Sequence, residues 1–143
     1  MRTIKFRGKR LDNGEWVYGD LLHIAGGCLI YFGSDTETRS PDIQSDSKVA
    51  VELHKDEIAV VGPATVGQFT GAIDRNGKKI YEGDIVLAKS AGEYRKCQVV
   101  YAEHSCNFIL YTKIGPWFMH GEIDSMLDVI GNIHDNPELL NEK

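Results

Sequence analysis

The stretch from Val66 to Val86 leaves this chain few folds to choose from. Asp74-Arg75-Asn76-Gly77 is a turn sequence, because Asn and Gly tolerate positive φ and so match the twist of paired strands. The residues on either side of that turn read as the two strands of a β-hairpin. Gly83-Asp84 then marks a second sharp change of direction before Ile85-Val86-Leu87. A hairpin followed at once by a tight corner predicts a small, curled sheet. Long helices and flat parallel sheets do not accommodate it.

Strand signals continue on both sides. In the first ten residues Ile4 and Phe6 alternate with Lys5, Arg7 and Lys9, which predicts a half-buried strand with a basic, solvated outer stripe. Leu11-Asp12-Asn13-Gly14 is a hairpin turn, and Trp16-Val17-Tyr18 starts the return strand. Leu21 to Phe32 reads as two short strands around Gly26-Gly27. Gly33 to Lys48 has almost no aliphatic residues and reads as a long polar surface loop. Val49 to Leu53 and Ile58 to Val61 are further strands, and Gly62-Pro63 is the best internal boundary. It divides the chain into an N-terminal β-unit, 1–62, and a second β-unit, 63–143.

In the second unit Tyr94 to Tyr101 and Asn107 to Thr112 read as neighbouring strands. Phe108 and Leu110 point one way, Ile109 and Tyr111 the other. Apolar residues on both faces imply burial on both sides or an interface. Glu122 to Leu127 reads as a short helical turn, and Asp128 to Ile133 as the last strand. Asn136-Pro137-Glu138-Leu139-Leu140 has the form of a capped helical turn, with Pro at the first helical position. The class is therefore mainly β, with spacing suited to small barrels. Residues 12–22 and 75–86 also share a pattern of turn, apolar residue, Tyr, Gly-Asp and two aliphatics. Duplication of a β-unit and convergence on common hairpin chemistry both account for it.

The chain is 143 residues long, enough to bury a core without covalent staples. No apolar run approaches the ~20 residues that span a bilayer, so no membrane association is expected. The basic N-terminus has no apolar segment behind it, which argues against a secretory signal. Cys28, Cys97 and Cys106 are odd in number and widely spaced, as suits a reducing compartment. These features together predict a cytoplasmic protein.

Evidence for chemistry is sparse. Glu103-His104-Ser105-Cys106 falls short of the four spaced ligands of a closed zinc site, and Cys106 reads as a small core residue. Gly-x-Ser-x-Gly is absent, and the glycines at 62–67 are not followed by the Lys-Ser or Lys-Thr of a phosphate loop. Carboxylates adjoin turns or lie in the polar loop, so ordinary, exposed behaviour is expected of them. Asp20 and Asp84, each after a glycine, read as acceptors for their own turns. No catalytic residue, cofactor site or metal site is predicted. What remains is contact. Lys5, Arg7 and Lys9 with Trp16 form the candidate surface for a partner or for nucleic acid. The net charge of −5 disfavours nucleic acid.

Three segments carry a resemblance. They are Thr65 to Gly71 with Asp74, Asn76-Gly77-Lys78 and Ile80 to Ile85; Lys5 to Lys9 with Trp16 to Leu21; and Val129 to Leu140. Together they resemble the signature of the YopX family of phage and prophage proteins over nearly the whole chain. Ala72 stands where that pattern has Leu, and His134 where it has an aromatic. The resemblance implies a bacterial or phage cytoplasmic protein, mainly β with an SH3-like barrel component. It supplies no catalytic residues. The resulting expectation is a non-enzymatic accessory protein working through protein–protein contacts, as a homo-oligomer or with a host or phage partner. A single-stranded nucleic-acid binder is the alternative.

Overall fold

The computed structural model describes residues 2–33, 55–90, 92–118, 123–124 and 126–141. The polar loop expected over 33–48 lies outside them apart from Gly33, as does the strand expected over 49–53. The chain is mainly β, with short 3-10 turns and no α-helix among the described residues. It divides into two compact units, Lys5–Val66 and Gly67–Lys143, the second also taking in Met1–Ile4.

In the first unit, β1 (Phe6–Lys9), β2 (Trp16–Ile24), β3 (Gly27–Tyr31) and β4 (Ile58–Val61) pair antiparallel in sequence order. The end of β4 then returns to the end of β1. The Gly62 amide donates to the Lys9 carbonyl (2.9 Å) and the Leu11 amide to the Val60 carbonyl (3.0 Å). Gly8 permits that approach, since a Cβ there would sit 2.8 Å from the Val61 side chain. Ile30, Tyr31, Ala59 and Val61 are buried in this unit.

The turn between β2 and β3 is one residue earlier than the sequence suggests. Ala25 and Gly26 both take positive φ, 50° and 79°, and Gly27 already belongs to β3. Two consecutive positive φ values suit the twist of a two-residue hairpin, even though Ala is a costly residue to place there.

In the second unit, β5 (Gly67–Asp74) and β6 (Lys79–Tyr81) form the central hairpin around 75–78. Gly77 takes φ 82° and its amide donates to the Asp74 carbonyl (3.0 Å). The register slips between Phe69 and Ile73, where β5 advances four residues against two of β6 and Gly71 takes φ 90°; the two added residues bend the strand. A five-stranded antiparallel sheet follows, built from β7 (Asp84–Ser90), β8 (Glu93–Ala102), β9 (Asn107–Thr112), β10 (Gly115–Phe118) and β12 (Leu127–Asn132). Its order is β10-β9-β8-β7-β12, so the last strand lies beside the first. One face carries Val86, Ala88, Cys97, Val99, Leu110 and Leu127, which join Ala72 and Ile80 in the core against Trp117 and Val129.

Two helical expectations are corrected here. Within 122–127, Ile123–Asp124 form β11, a short strand parallel to Ile73–Asp74 of β5, and Leu127 opens β12. Pro137–Leu140 does form a 3-10 turn with Pro first, but the Asn136 side chain does not cap it. Its Oδ1 instead accepts from the Asn132 amide (3.3 Å), tying the turn back to the last strand.

The repeated pattern also parts company in three dimensions. Gly19-Asp20 lies inside the continuous strand β2, whereas Gly83-Asp84 makes the corner between β6 and β7. Tyr18 is 39% exposed and Tyr81 only 4%.

Candidate binding groove on the five-stranded sheet

Alternation along β8 gives the sheet two unlike faces. Cys97 and Val99 enter the core, so Tyr94, Lys96 and Gln98 emerge on the opposite face. On β9, Leu110 enters the core while Tyr111, paired with Gln98, emerges beside it. Leu87 of β7 reaches the same outer face through its pairing with Lys96.

The outer face holds a groove of about 690 Å³. Leu87, Ile114 and Leu140 supply its aliphatic lining, Tyr94 and Tyr111 its rings, and Lys96 and Lys113 its positive charge. Leu140 comes from the 3-10 turn, and Lys113-Ile114 from the tip of the β9–β10 hairpin. Tyr94, Tyr111 and Ile114 are 59%, 56% and 69% exposed. Isolated apolar residues at a surface need no explanation; three gathered around one concavity make this the candidate contact surface of the sheet. Lys89 Nζ lies 5.7 Å from the centre of the Tyr94 ring, within cation–π range. Arg95 also borders the groove, but its guanidinium is engaged by Glu93 (3.0 Å) and lies 5.5 Å from the Trp117 ring.

A second cleft, of about 660 Å³, is bordered by Arg2, Gln68, Thr70, Glu82, Tyr101 and Cys106 among others. Several of its polar groups serve the fold. Thr70 Oγ1 donates to the Ile80 carbonyl (2.8 Å) and accepts from the Ala72 amide (3.1 Å). Glu82 Oε1 accepts from the Gln68 amide (3.3 Å). The Tyr101 phenol is raised above its ordinary pKa, first by desolvation and then by neighbouring Cys106 and Glu103. Cys106 is exposed, not a core residue, because its backbone takes φ 55° in the β8–β9 turn and turns the thiol outward. Its Sγ donates to the Glu103 carbonyl (3.5 Å).

The N-terminal stripe is not the solvated surface its alternation suggests. Arg7 is 5% exposed, with its guanidinium 4.7 Å from the centre of the Trp16 ring. Lys9 Nζ lies 5.6 Å from the same ring, and the Lys9 amide donates to Thr65 Oγ1 (2.9 Å). Lys5 is half-buried, while Ile4, expected to be covered with Phe6, is 54% exposed. The structure thus gathers Arg7, Lys9 and Trp16 into one cation–π stack, and Lys5 precedes it in the chain. Alternation assigns residues to a face but does not say which face another element covers.

Two carboxylates are likewise far from ordinary. Asp74 and Asp84 are each 2% exposed. Asp84 Oδ2 accepts from the Tyr81 amide (2.7 Å), as expected of an acid serving its own corner. Asp74 Oδ1 accepts from the amides of Asn76 and Lys78, and Oδ2 from that of Val129, all at 2.9 Å. Among the described residues, no group of three His, Cys, Asp or Glu side chains is placed to hold a metal ion.

Sequence reasoning missed the groove lysines and Tyr94. The available signal is the strict alternation of β8, together with the doubly apolar strand β9, whose pattern implies an interface.

A family model, YopX protein, matches residues 5–141. The chain belongs to the YopX family. Among solved structures this YopX chain is similar to protein EF1440 from Enterococcus faecalis. The two are 23% identical with a TM-score of 0.57, covering 98% of this chain and 99% of that one. At that identity the likeness concerns the fold alone. No curated protein matches the chain.

Proposed function

We propose that this YopX-family chain is a non-enzymatic accessory protein of phage or prophage origin that works in the cytoplasm through protein–protein contacts. The contact is made at the groove on the outer face of the five-stranded sheet. One observation carries the reading: Tyr94, Tyr111 and Ile114 are more than half exposed around one concavity, on a sheet whose other face builds the core. Exposed tyrosines supply large, stiff contact area at low entropic cost, as at known interfaces. We also read the sheet as SH3-like, because its last strand pairs beside its first. Three free cysteines suit a reducing compartment.

Site-specific photo-crosslinking tests the reading. A benzophenone amino acid at position 94 or 111 should give protein adducts in prophage-bearing cells, whether to a second copy or to a different protein. The same probe at Val60, an exposed position of the first unit, serves as control. Equal labelling from all three positions, or adducts to nucleic acid alone, would refute it. The second outcome would favour single-strand binding, for which tyrosines alternating with lysines also have the chemistry.

A further inference from the structure

We infer that Asn76-Gly77, in the turn between β5 and β6, is a site of spontaneous covalent modification, and that its products loosen the turn from β12. Two Asn-Gly pairs occur in the chain, Asn13-Gly14 and Asn76-Gly77, both in exposed turns. In such a pair the glycine nitrogen can attack the asparagine Cγ, since glycine has no Cβ to hinder the approach. That nitrogen gives up its proton, a C–N bond forms, and the side-chain nitrogen leaves as ammonia. Water then opens the succinimide ring. Breaking the new bond to Cγ leaves aspartate. Breaking the bond to the main-chain carbonyl carbon leaves isoaspartate, with the backbone rerouted through the side chain.

The geometry at 76 both permits and restrains that step. Asn76 and Gly77 are exposed, Gly77 takes φ 82°, and no atom lies within 4 Å of where its Cβ would stand. Two hydrogen bonds hold the reacting groups back. The Gly77 amide, the attacking group, donates to the Asp74 carbonyl (3.0 Å). Asn76 Nδ2, the leaving group, donates to Asp128 Oδ1 on β12 (3.0 Å). Conversion therefore proceeds through local opening of the turn.

The consequences set 76 apart from 13. Asp74 Oδ1 accepts from the amides of Asn76 and Lys78, on either side of the reacting bond, while Oδ2 holds the Val129 amide of β12. Isoaspartate adds a backbone carbon between the first two amides, so both cannot remain on one oxygen. Aspartate instead sets a second carboxylate against Asp128, where Asn76 had donated a bond, and like charges repel. Either product weakens the tie between turn and strand. The Asn13 carboxamide bonds to Glu15, two residues on, so conversion there stays local.

The test ages the full folded chain at mildly alkaline pH, separates the converted forms by anion exchange and maps them by mass spectrometry. Hydrogen exchange at the Val129 amide reports the tie. Aspartate and isoaspartate should accumulate at 76, and Val129 should lose protection in those molecules but keep it where 13 alone has converted. Asp128→Ala, which frees the leaving group, should speed conversion at 76 about fivefold, as loss of one exposed, charge-assisted bond would. Asn76 left intact while the urea-unfolded chain converts fully, conversion at 76 with Val129 still protected, or an Asp128→Ala variant no faster than wild type would each overturn the inference. The first two are read on the wild-type chain, so the result does not depend on the variant folding.

Discussion

Asp74 should be the most sensitive polar residue of the second unit. Its carboxylate accepts three backbone N–H bonds at 2.9 Å while only 2% of the residue is exposed. Two of those bonds shape the hairpin turn between β5 and β6. The third holds the Val129 amide, so one side chain locks the turn to the last strand of the five-stranded sheet. Hydrogen bonds to a charged acceptor contribute about 1.5–3 kcal/mol each, and an amide left without an acceptor costs about 1–3 kcal/mol. Asn76 and Lys78 are exposed, so water can replace part of what they lose. Asp74→Ala should therefore cost about 3–5 kcal/mol, less than three full bonds. Asp74→Asn keeps one oxygen for the turn but can place its NH₂ against the Val129 N–H, for about 2–3 kcal/mol.

The pH dependence separates a charged acceptor from mere packing. Burial raises the Asp74 carboxyl, but the N–H bonds from Val129, Lys78 and Asn76, with the nearby Lys78 charge, bring it net below its ordinary value. A depressed folded pKa means that the unfolded chain takes up its proton first as pH falls. The stabilisation is thus complete above the unfolded value of about 3.9 and is lost as pH falls through the folded one. Urea unfolding followed by tryptophan fluorescence and circular dichroism between pH 3 and 7 would measure this. The deficit of Asp74→Asn should be greatest at neutral pH and shrink below about pH 4. A variant within about 0.5 kcal/mol of wild type, or a deficit unchanged across that range, would refute the reasoning.

Gly77→Val should cost about 1–3 kcal/mol, through backbone strain and not through a clash. Gly77 takes φ 82° and no atom lies within 4 Å of where a Cβ would stand; unchanged thermal stability would contradict this. Cys97 and Cys106 should separate under iodoacetamide at mildly alkaline pH. Burial pushes the Cys97 thiol up to about 11, so it should stay unmodified in the folded chain while exposed Cys106 reacts; comparable rates would place Cys97 outside the core. Replacing Lys5, Arg7 and Lys9 together by Gln should lower the stability of the first unit, because it removes both cations from Trp16. Binding of single-stranded DNA at about 0.15 M salt, present in wild type and lost in that triple variant, would instead restore the stripe as a phosphate surface.

Features decided by a few consecutive residues were legible in the sequence. Asp74-Arg75-Asn76-Gly77 states its turn through Asn and Gly, and Gly83-Asp84 states its corner through an acid that bonds back to the Tyr81 amide. The strands 94–101 and 107–112 were legible by alternation. Features decided by distant partners were not. The pairing of Ile123–Asp124 with Ile73–Asp74 joins segments far apart in the chain, and no local pattern announces a two-residue strand. Arg7 looks solvent-facing until Trp16 folds beside it, and Cys106 looks apolar until the turn gives it φ 55°. The matched Gly-Asp pairs show the same limit, since Asp20 is exposed in mid-strand and Asp84 is buried at a corner.

The groove inherits its geometry from the core on the other side of the same strands. Cys97 and Val99 are fully buried, and the residues between and beside them are the ones that line the groove. A one-residue slip of β8 would carry Lys96 and Gln98 inward and Cys97 outward. The cost of burying those polar groups therefore holds the outer face in register. Tyr111 is fixed in the same way by Leu110, its 2%-exposed neighbour in β9. A partner segment would then meet rings and charges already spaced by core packing, so little ordering would remain to oppose binding. Val99→Ala, at a position outside the groove lining, makes this measurable. Truncation should cost about 1–3 kcal/mol of stability. As long as the strand register survives, crosslinking to protein from positions 94 and 111 should stay near the wild-type yield, since no residue of the groove lining is changed. A large loss of crosslinking in a variant that still folds would mean that the groove depends on fine core packing and not on strand register.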